Sequence, residues 1–237
     1  MKRPARRGPR LARMITVHHL NNSRSQRVLW LLEELGLPYE IKHYQRDATT
    51  SLAPPELKRV HPLGKSPVIT DGALTVAESG AILEYLVDRY GQGRLKPTGE
   101  QDLLHYRYFM HFAEGSAMPP LVMKLVFNRI KRAPMPFFVK PIAKGIADKV
   151  LGSFVQPNID AQLKFVEAEL SARPWFAGAE FSAADVQMSF PAEAWAARGG
   201  SQALTAYPKL AAFLARIHAR PGYKKALERG GPYSLMS

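Results

Sequence analysis

Strand signals fill the first third of this chain and then stop. From Met14 to about Tyr90, β-rich runs alternate with segments of helical period; after the polar stretch GQGRLKPTG, residues 91 to 99, none recurs. Any sheet must therefore be built from the residues before that break. MITVHHL opens as a short strand, and SQRVLWLLEELG follows with Val28, Leu29, Leu32 and Leu35 at helical spacing and Gly36 as a stop. YEIKHY reads as a strand with Tyr39, Ile41 and His43 on one face. PPELKRVHP is a short helix opened by proline, and PVITD and ALTVA, separated by Gly72, form a hairpin. AESGAILEYLVDRYG is then a helix, with Ala81, Ile82, Tyr85 and Leu86 as its apolar positions. The order is βαβ, a short helix, then ββα. Helices are expected over about 100 to 130, 137 to 170, 182 to 198 and 208 to 228, so a small α/β domain precedes an all-helical one.

Composition narrows the chemistry. The 237 residues are 46% hydrophobic and 22% charged, enough for a substantial core, and no run of 18 apolar residues exists to cross a membrane as a helix. Cysteine is absent, which removes disulfides, cysteine nucleophiles and thiolate metal sites. Any thiol chemistry must use a thiol carried by a ligand, and a reducing, cytoplasmic setting is expected. Six of the thirteen net positive charges sit in MKRPARRGPRLAR, residues 1 to 13, without an acid among them. That segment lacks the apolar stretch of a secretory signal. It is either a disordered anion-seeking tail or the result of an upstream start codon with Met14 as the functional start, and the second is the expectation because the first strand-like run follows Met14 directly.

Three stretches of the first domain carry more than core residues. HHLNNSRSQRVLW crowds polar groups before a helix. In GKSPVI, Pro67 heads a strand, where it is either an ordinary trans residue or a cis bond that turns the Ser66 backbone toward an extended peptide ligand. In AESGAI, Glu78 and Ser79 begin a helix, whose free N–H groups and dipole favour a carboxylate, or else they only cap it. His18 and His19 sit on opposite faces of a strand, with no third ligand near, so no metal site is expected. Ser182 with Asp185 forms a capping box, with Phe181 and Val186 as its staple.

HHLNNSRSQRVLWLLEELGLPYE, PPELKRVHPLGKSPVITDGALTVAESGAILEYL and FSAADV together resemble the cytosolic glutathione transferase family in order and spacing, in the branch lacking both the catalytic tyrosine and the catalytic cysteine. The resemblance implies a thioredoxin-like, glutathione-binding domain over 14 to 90, a linker over 91 to 99, and an all-α, electrophile-binding domain over 100 to 237. It implies a cis Pro67, a Ser66 backbone that pairs with the cysteinyl part of glutathione, Glu78 and Ser79 on the γ-glutamyl group, and Lys65 on the glycyl carboxylate. Family members more often carry an aliphatic residue where Ser66 stands. In serine-type members the catalytic serine lies four residues before the first helix's arginine, which here selects Ser23; Asn22 and Ser25 compete for the role, and Arg24 adds positive potential.

The activating group has a modest task. Ionising a thiol of pKa about 8.5 at neutral pH needs a fall of about two units, roughly 2.7 kcal/mol. One charge-assisted hydrogen bond supplies about 1.5 to 3 kcal/mol and a helix N-terminus about 0.3 to 1. No general base is required. Tyr108, His111 and Phe112 are the expected electrophile-pocket residues, on the helix that borders that pocket in the family. The expected function is transfer of glutathione to a hydrophobic electrophile in a detoxifying homodimer, with glutathione as co-substrate. The alternatives are glutathione-dependent peroxide or disulfide reduction, and a non-enzymatic glutathione or ligand carrier. Segment 118 to 147 mixes apolar groups with Lys/Arg and no acid, which admits peripheral docking on an anionic membrane. Nucleic-acid binding is not expected once the tail is removed.

Overall fold

The computed structural model describes residues 14 to 233 and residue 235, with backbone alone for residues 198 to 204. The expected basic tail, 1 to 13, lies outside the described residues. β1 (Ile15–Leu20) runs parallel to β2 (Tyr39–Tyr44) through the crossover helix α1 (Ser25–Leu35), as a βαβ unit requires. β3 (Val68–Asp71) and β4 (Leu74–Ala77) turn back on each other through Gly72, whose φ of 61° suits glycine, and β3 pairs antiparallel with β1. The sheet order is β2-β1-β3-β4, with a single 3-10 turn at Pro55–Arg59 between β2 and β3.

Helix α1 is buried on nearly every side. The periodicity marks Val28, Leu29, Leu32 and Leu35, yet Trp30 and Leu31 are equally buried, because helical-domain residues cover the outer face. Trp30 packs edge-on against Tyr223 and beside Phe181. Such side chains contribute about 1.5 to 3 kcal/mol each on burial. The helix stops at Gly36 in the left-handed conformation. α2 (Ser79–Tyr90) corrects one expectation: its core face is Ile82, Leu83, Leu86 and Val87, while Ala81 is exposed. Tyr85 turns its hydroxyl to buried Asp71, donating at 2.6 Å.

Beyond the linker all described elements are helical. The helix expected over 100 to 130 is α3 (Glu100–Phe112), a π-turn at Ala113–Ala117, and α4 (Met118–Arg132). Pro119 and Pro120 supply no N–H to the preceding carbonyls, so the ladder widens there. The next pair repeats the device: α5 (Lys140–Val150), a π-turn at Leu151–Val155, then α6 (Gln156–Ala172) with Pro157 in its first turn. α7 (Ala183–Ala206) outruns its expected end, and the last segment splits at Arg220 into α8 (Pro208–Ala219) and α9 (Pro221–Gly230), because a residue before proline leaves the helical region. The core is continuous from β1 to α9. The fold is a thioredoxin-like α/β unit joined to an all-α one.

Candidate active site

Three segments meet at a cavity of about 220 Å³. The first is the bend into β3, which contributes Lys65, Ser66 and Pro67, with the Ser66-Pro67 peptide cis. The β1–β3 ladder begins at His18 opposite Val68, so Ser66 lies beyond it. Its hydroxyl donates to the His18 carbonyl at 2.9 Å, which ties the side chain to β1 and leaves the backbone edge for the cavity. This is a use for the serine that an aliphatic residue could not match.

The second segment is the start of α2. Glu78 holds a φ of 72° and ψ of 127°, a region that costs a non-glycine residue about 1 to 3 kcal/mol. Its carbonyl already accepts from Ile82 N–H at 2.9 Å, so the helix begins beside the cavity, and no side chain caps it. Glu78 and Ser79 both line the cavity. A helix start of this kind is a seat for a carboxylate. All five residues selected for glutathione are thus brought together.

The third segment pairs the start of α1 with the helical domain. Arg24 and Glu114 line the cavity, and the Arg24 Nε–H donates to both Glu114 oxygens at 3.0 Å. Glu114 also accepts from Arg27, which is 1% exposed and donates to the Gln187 carbonyl at 2.6 Å. The Phe190 ring lies under both guanidinium groups, 4.9 and 5.4 Å from its centroid. Burial would raise the Glu114 pKa, but Arg27 and Arg24 hold it below the usual carboxylate range. Glu114 stands in the π-turn before Pro119, so the widened ladder presents it to the first domain.

The three candidate thiol activators are not brought into this cavity. Ser23 and Ser25 are buried, with their hydroxyls 2.7 Å apart, and Ser25 Oγ lies 2.9 Å from His19 Nδ1. Asn22, at a φ of 48°, lines a separate cavity with His19, His43 and Gln45. Ser23 does not hold the N-cap position of α1, which is Arg24, although its hydroxyl accepts from the Ser25 N–H at 3.2 Å. His19 is a partner the sequence reading set aside. Burial, with His43 beside it, lowers its pKa to about 4 against a bond to the Gly230 carbonyl, so the ring is neutral. His18 faces the other way, its Nδ1 3.0 Å from the Tyr44 hydroxyl.

The expected electrophile residues lie apart from this cavity. Tyr108 lines a shallow cavity between α3 and α6 with Leu104 and Phe165, His111 is exposed, and Phe112 is in the core. None lines the cavity of Ser66. Its remaining polar residue, His61, follows the 3-10 turn and carried no sequence signal. Among the described residues, no group of three or more His, Asp or Glu side chains is placed to hold a metal.

Comparison with known proteins bears on this geometry. The family models described as "Glutathione S-transferase, N-terminal domain" and "Glutathione S-transferase, C-terminal domain" match residues 12–88 and 133–221. Glutathione S-transferase 3 of Schizosaccharomyces pombe is 38% identical over 91% of this chain and 88% of its own length. Glutathione S-transferase 1 of Saccharomyces cerevisiae is 34% identical over 91% of this chain and 95% of its own. Among solved structures, a glutathione S-transferase from Actinobacillus pleuropneumoniae superposes with a TM-score of 0.75 at 32% identity, covering 94% of this chain and 95% of that one. A glutathione transferase homologue from Sulfitobacter, solved with bound glutathione, superposes at 0.72 with 23% identity, over 92% of this chain and 98% of its own, a likeness of fold. The cis Ser66-Pro67 bend, the open start of α2 and the α/β-then-helical architecture thus agree with relatedness along nearly the whole chain, which belongs to the glutathione S-transferase family.

Proposed function

We propose that this protein joins the sulfur of glutathione to a hydrophobic electrophile. The observation that carries this reading is the convergence of Lys65, Ser66, Pro67, Glu78 and Ser79 on one cavity. In the bound tripeptide the γ-glutamyl carboxylate sits at the start of α2 with Ser79, and Glu78 accepts from the ammonium. The cysteinyl unit pairs with the Ser66 backbone, and Lys65 meets the glycyl carboxylate. The thiolate then lies toward the start of α1, and the electrophile approaches from the side of Glu114. The division follows the chemistry: residues 14 to 90 bind glutathione, 91 to 99 link, and 100 to 237 shape the second site. The test is an assay with glutathione against aryl halides, hydroperoxides and mixed disulfides. Conjugation of the first class supports the reading; turnover of only the other two favours reduction, and binding without turnover a carrier.

We further propose that the protein is a cytoplasmic, detoxifying homodimer. Val122, Val126 and Ile130 form an exposed stripe on α4, and Ile142 and Ile146 form one on α5, with exposed Phe138 in the turn before it. Anionic membrane docking is the competing reading: Lys140 and Lys144 stand two positions from Ile142, about 200° around the helix, so a basic face lies opposite the apolar stripe. Sedimentation of the protein with I142D as the control separates the two: a dimer lost in the variant supports self-association, and flotation of the monomer with anionic vesicles supports the membrane.

A further inference from the structure

The hydroxyls at the start of α1 are spoken for. Burial lowers the His19 pKa to about 4, and its Nδ1 lies 2.9 Å from Ser25 Oγ. Ser25 has one proton. Three acceptors stand within its reach, all inside the fold: Ser23 Oγ at 2.7 Å, His19 Nδ1 at 2.9 Å and the Leu20 carbonyl at 3.4 Å. The 2.7 Å contact joins two buried hydroxyls to each other, outside the cavity of Ser66. The backbone donors of the first turn are engaged as well: Ser25 N–H to Ser23 Oγ, Gln26 N–H to the Ser23 carbonyl, and Arg27 N–H to the Arg24 carbonyl. Asn22 lines the other cavity. Of residues 22 to 25, Arg24 alone lines the cavity of Ser66 and Pro67.

We propose, on the glutathione reading above, that Arg24 is the catalytic residue that stabilises the thiolate, with Glu114 and Phe190 as the residues that position it. The Nε–H of Arg24 is occupied by Glu114, which leaves the terminal nitrogens of the fork for a ligand in the cavity. Phe190 under the guanidinium fixes its plane. The charged or titratable groups facing the same cavity are His61 and Lys65 from the approach to β3, Glu78 from α2, and Glu114 from the π-turn. Arg46 and Arg129 add positive charge nearby, since Arg24 and Arg129 both act on Arg46. An opposite charge within about 4 to 6 Å lowers a pKa by about 1 to 3 units, which covers the roughly two units a glutathione thiol needs. The thiol releases its proton to solvent. Its sulfur lone pair then forms the S–C bond while the leaving group departs with the electron pair of the bond it breaks.

The test is the pH profile of kcat/KM with glutathione and chlorodinitrobenzene, read beside the ultraviolet thiolate absorbance of the glutathione complex, for wild type, R24A, R24K and S23A. R24A is expected to move the acid limb up by about one unit or more. That cuts kcat/KM about tenfold or more near pH ~6.5, while the loss shrinks once solution pH ionises the thiol. R24K, which keeps the charge, recovers part of the shift, and S23A stays within about half a unit of wild type. Retained binding of S-methylglutathione establishes that each variant keeps its fold and peptide site. An unmoved acid limb in R24A, or a full-unit shift in S23A, overturns the assignment to Arg24. A wild-type complex without any thiolate absorbance overturns the glutathione reading itself, a result distinct from the first because it appears before any substitution.

Discussion

The starts of α7 and α2 use the same two residue types for opposite ends. At α7, Ser182 precedes Asp185 by three positions, so the carboxylate reaches back to the Ser182 N–H at 2.8 Å while the Ser182 hydroxyl accepts from the first turn, and the end is closed and buried. At α2, the acid comes one position before the serine. Glu78 cannot reach back across a turn it precedes; the end stays uncapped and borders the cavity. Order along the chain, not composition, decides whether a helix start serves folding or a ligand.

The largest expected effect breaks the closed end. Asp185 also accepts from the Phe176 N–H at 2.9 Å, so Asp185→Ala orphans two buried backbone donors and removes the capping box. At about 1 to 3 kcal/mol for each donor and about 1 for the cap, a loss of about 4 kcal/mol is expected in urea unfolding. The KM for glutathione of the folded fraction should stay at the wild-type value. A loss under about 1 kcal/mol would mean that water replaces the carboxylate and that the end is not closed.

These two ends also show what was legible beforehand. The capping box depends on short-range spacing, which a single sequence carries, whereas the cis proline and the set Lys65, Ser66, Pro67, Glu78 and Ser79 were legible through the family resemblance of their short motifs, since spacing alone left both open. The pairing of Arg24 with Glu114 was not: it spans 90 positions and depends on a π-turn forced by Pro119 and Pro120. The crowding of Asn22, Ser23 and Ser25 pointed to the helix end that borders the cavity, but Ser23 bonds Ser25 and Ser25 lies against His19, tertiary packing that local spacing does not carry. Tyr108, His111 and Phe112 were expected from the family resemblance, in which this helix borders the electrophile pocket, but neighbouring helices α6 and α7 decide which of them is covered.

The start of α1 is a third case, closed by its own turn and by His19, and acid should expose it. His19 titrates at about 4 in the fold against an ordinary 6.5. Between those values the unfolded chain binds the proton and the folded one does not, so stability falls as pH drops through this window, by up to about 3 kcal/mol. Asp185 opposes it. Burial pushes its carboxyl up to about 6 from 3.8, so between those values the folded state binds the proton first and gains stability as pH falls. The two slopes partly cancel in the wild type. His19→Asn keeps an acceptor for Ser25 and removes one slope, so its stability should rise relative to wild type by up to about 3 kcal/mol from pH ~6.5 to ~4. Parallel profiles would show that His19 is protonated in the fold.

The smallest effect on the fold should come from the open end, and it sharpens the comparison most. In Ser79→Ala no cap is lost, because none exists, and alanine is the better helix former, so the midpoint of urea unfolding should shift by less than about 1 kcal/mol. The ligand tells otherwise. A hydroxyl donating to a carboxylate is worth about 1.5 to 3 kcal/mol, so the KM for glutathione should rise about 10- to 100-fold. Since that bond is made equally before and during sulfur attack, kcat at saturating glutathione should hold within about threefold. An unchanged KM with lowered stability would make Ser79 a structural cap after all, and the start of α2 would then be a second closed end of the kind seen at α7.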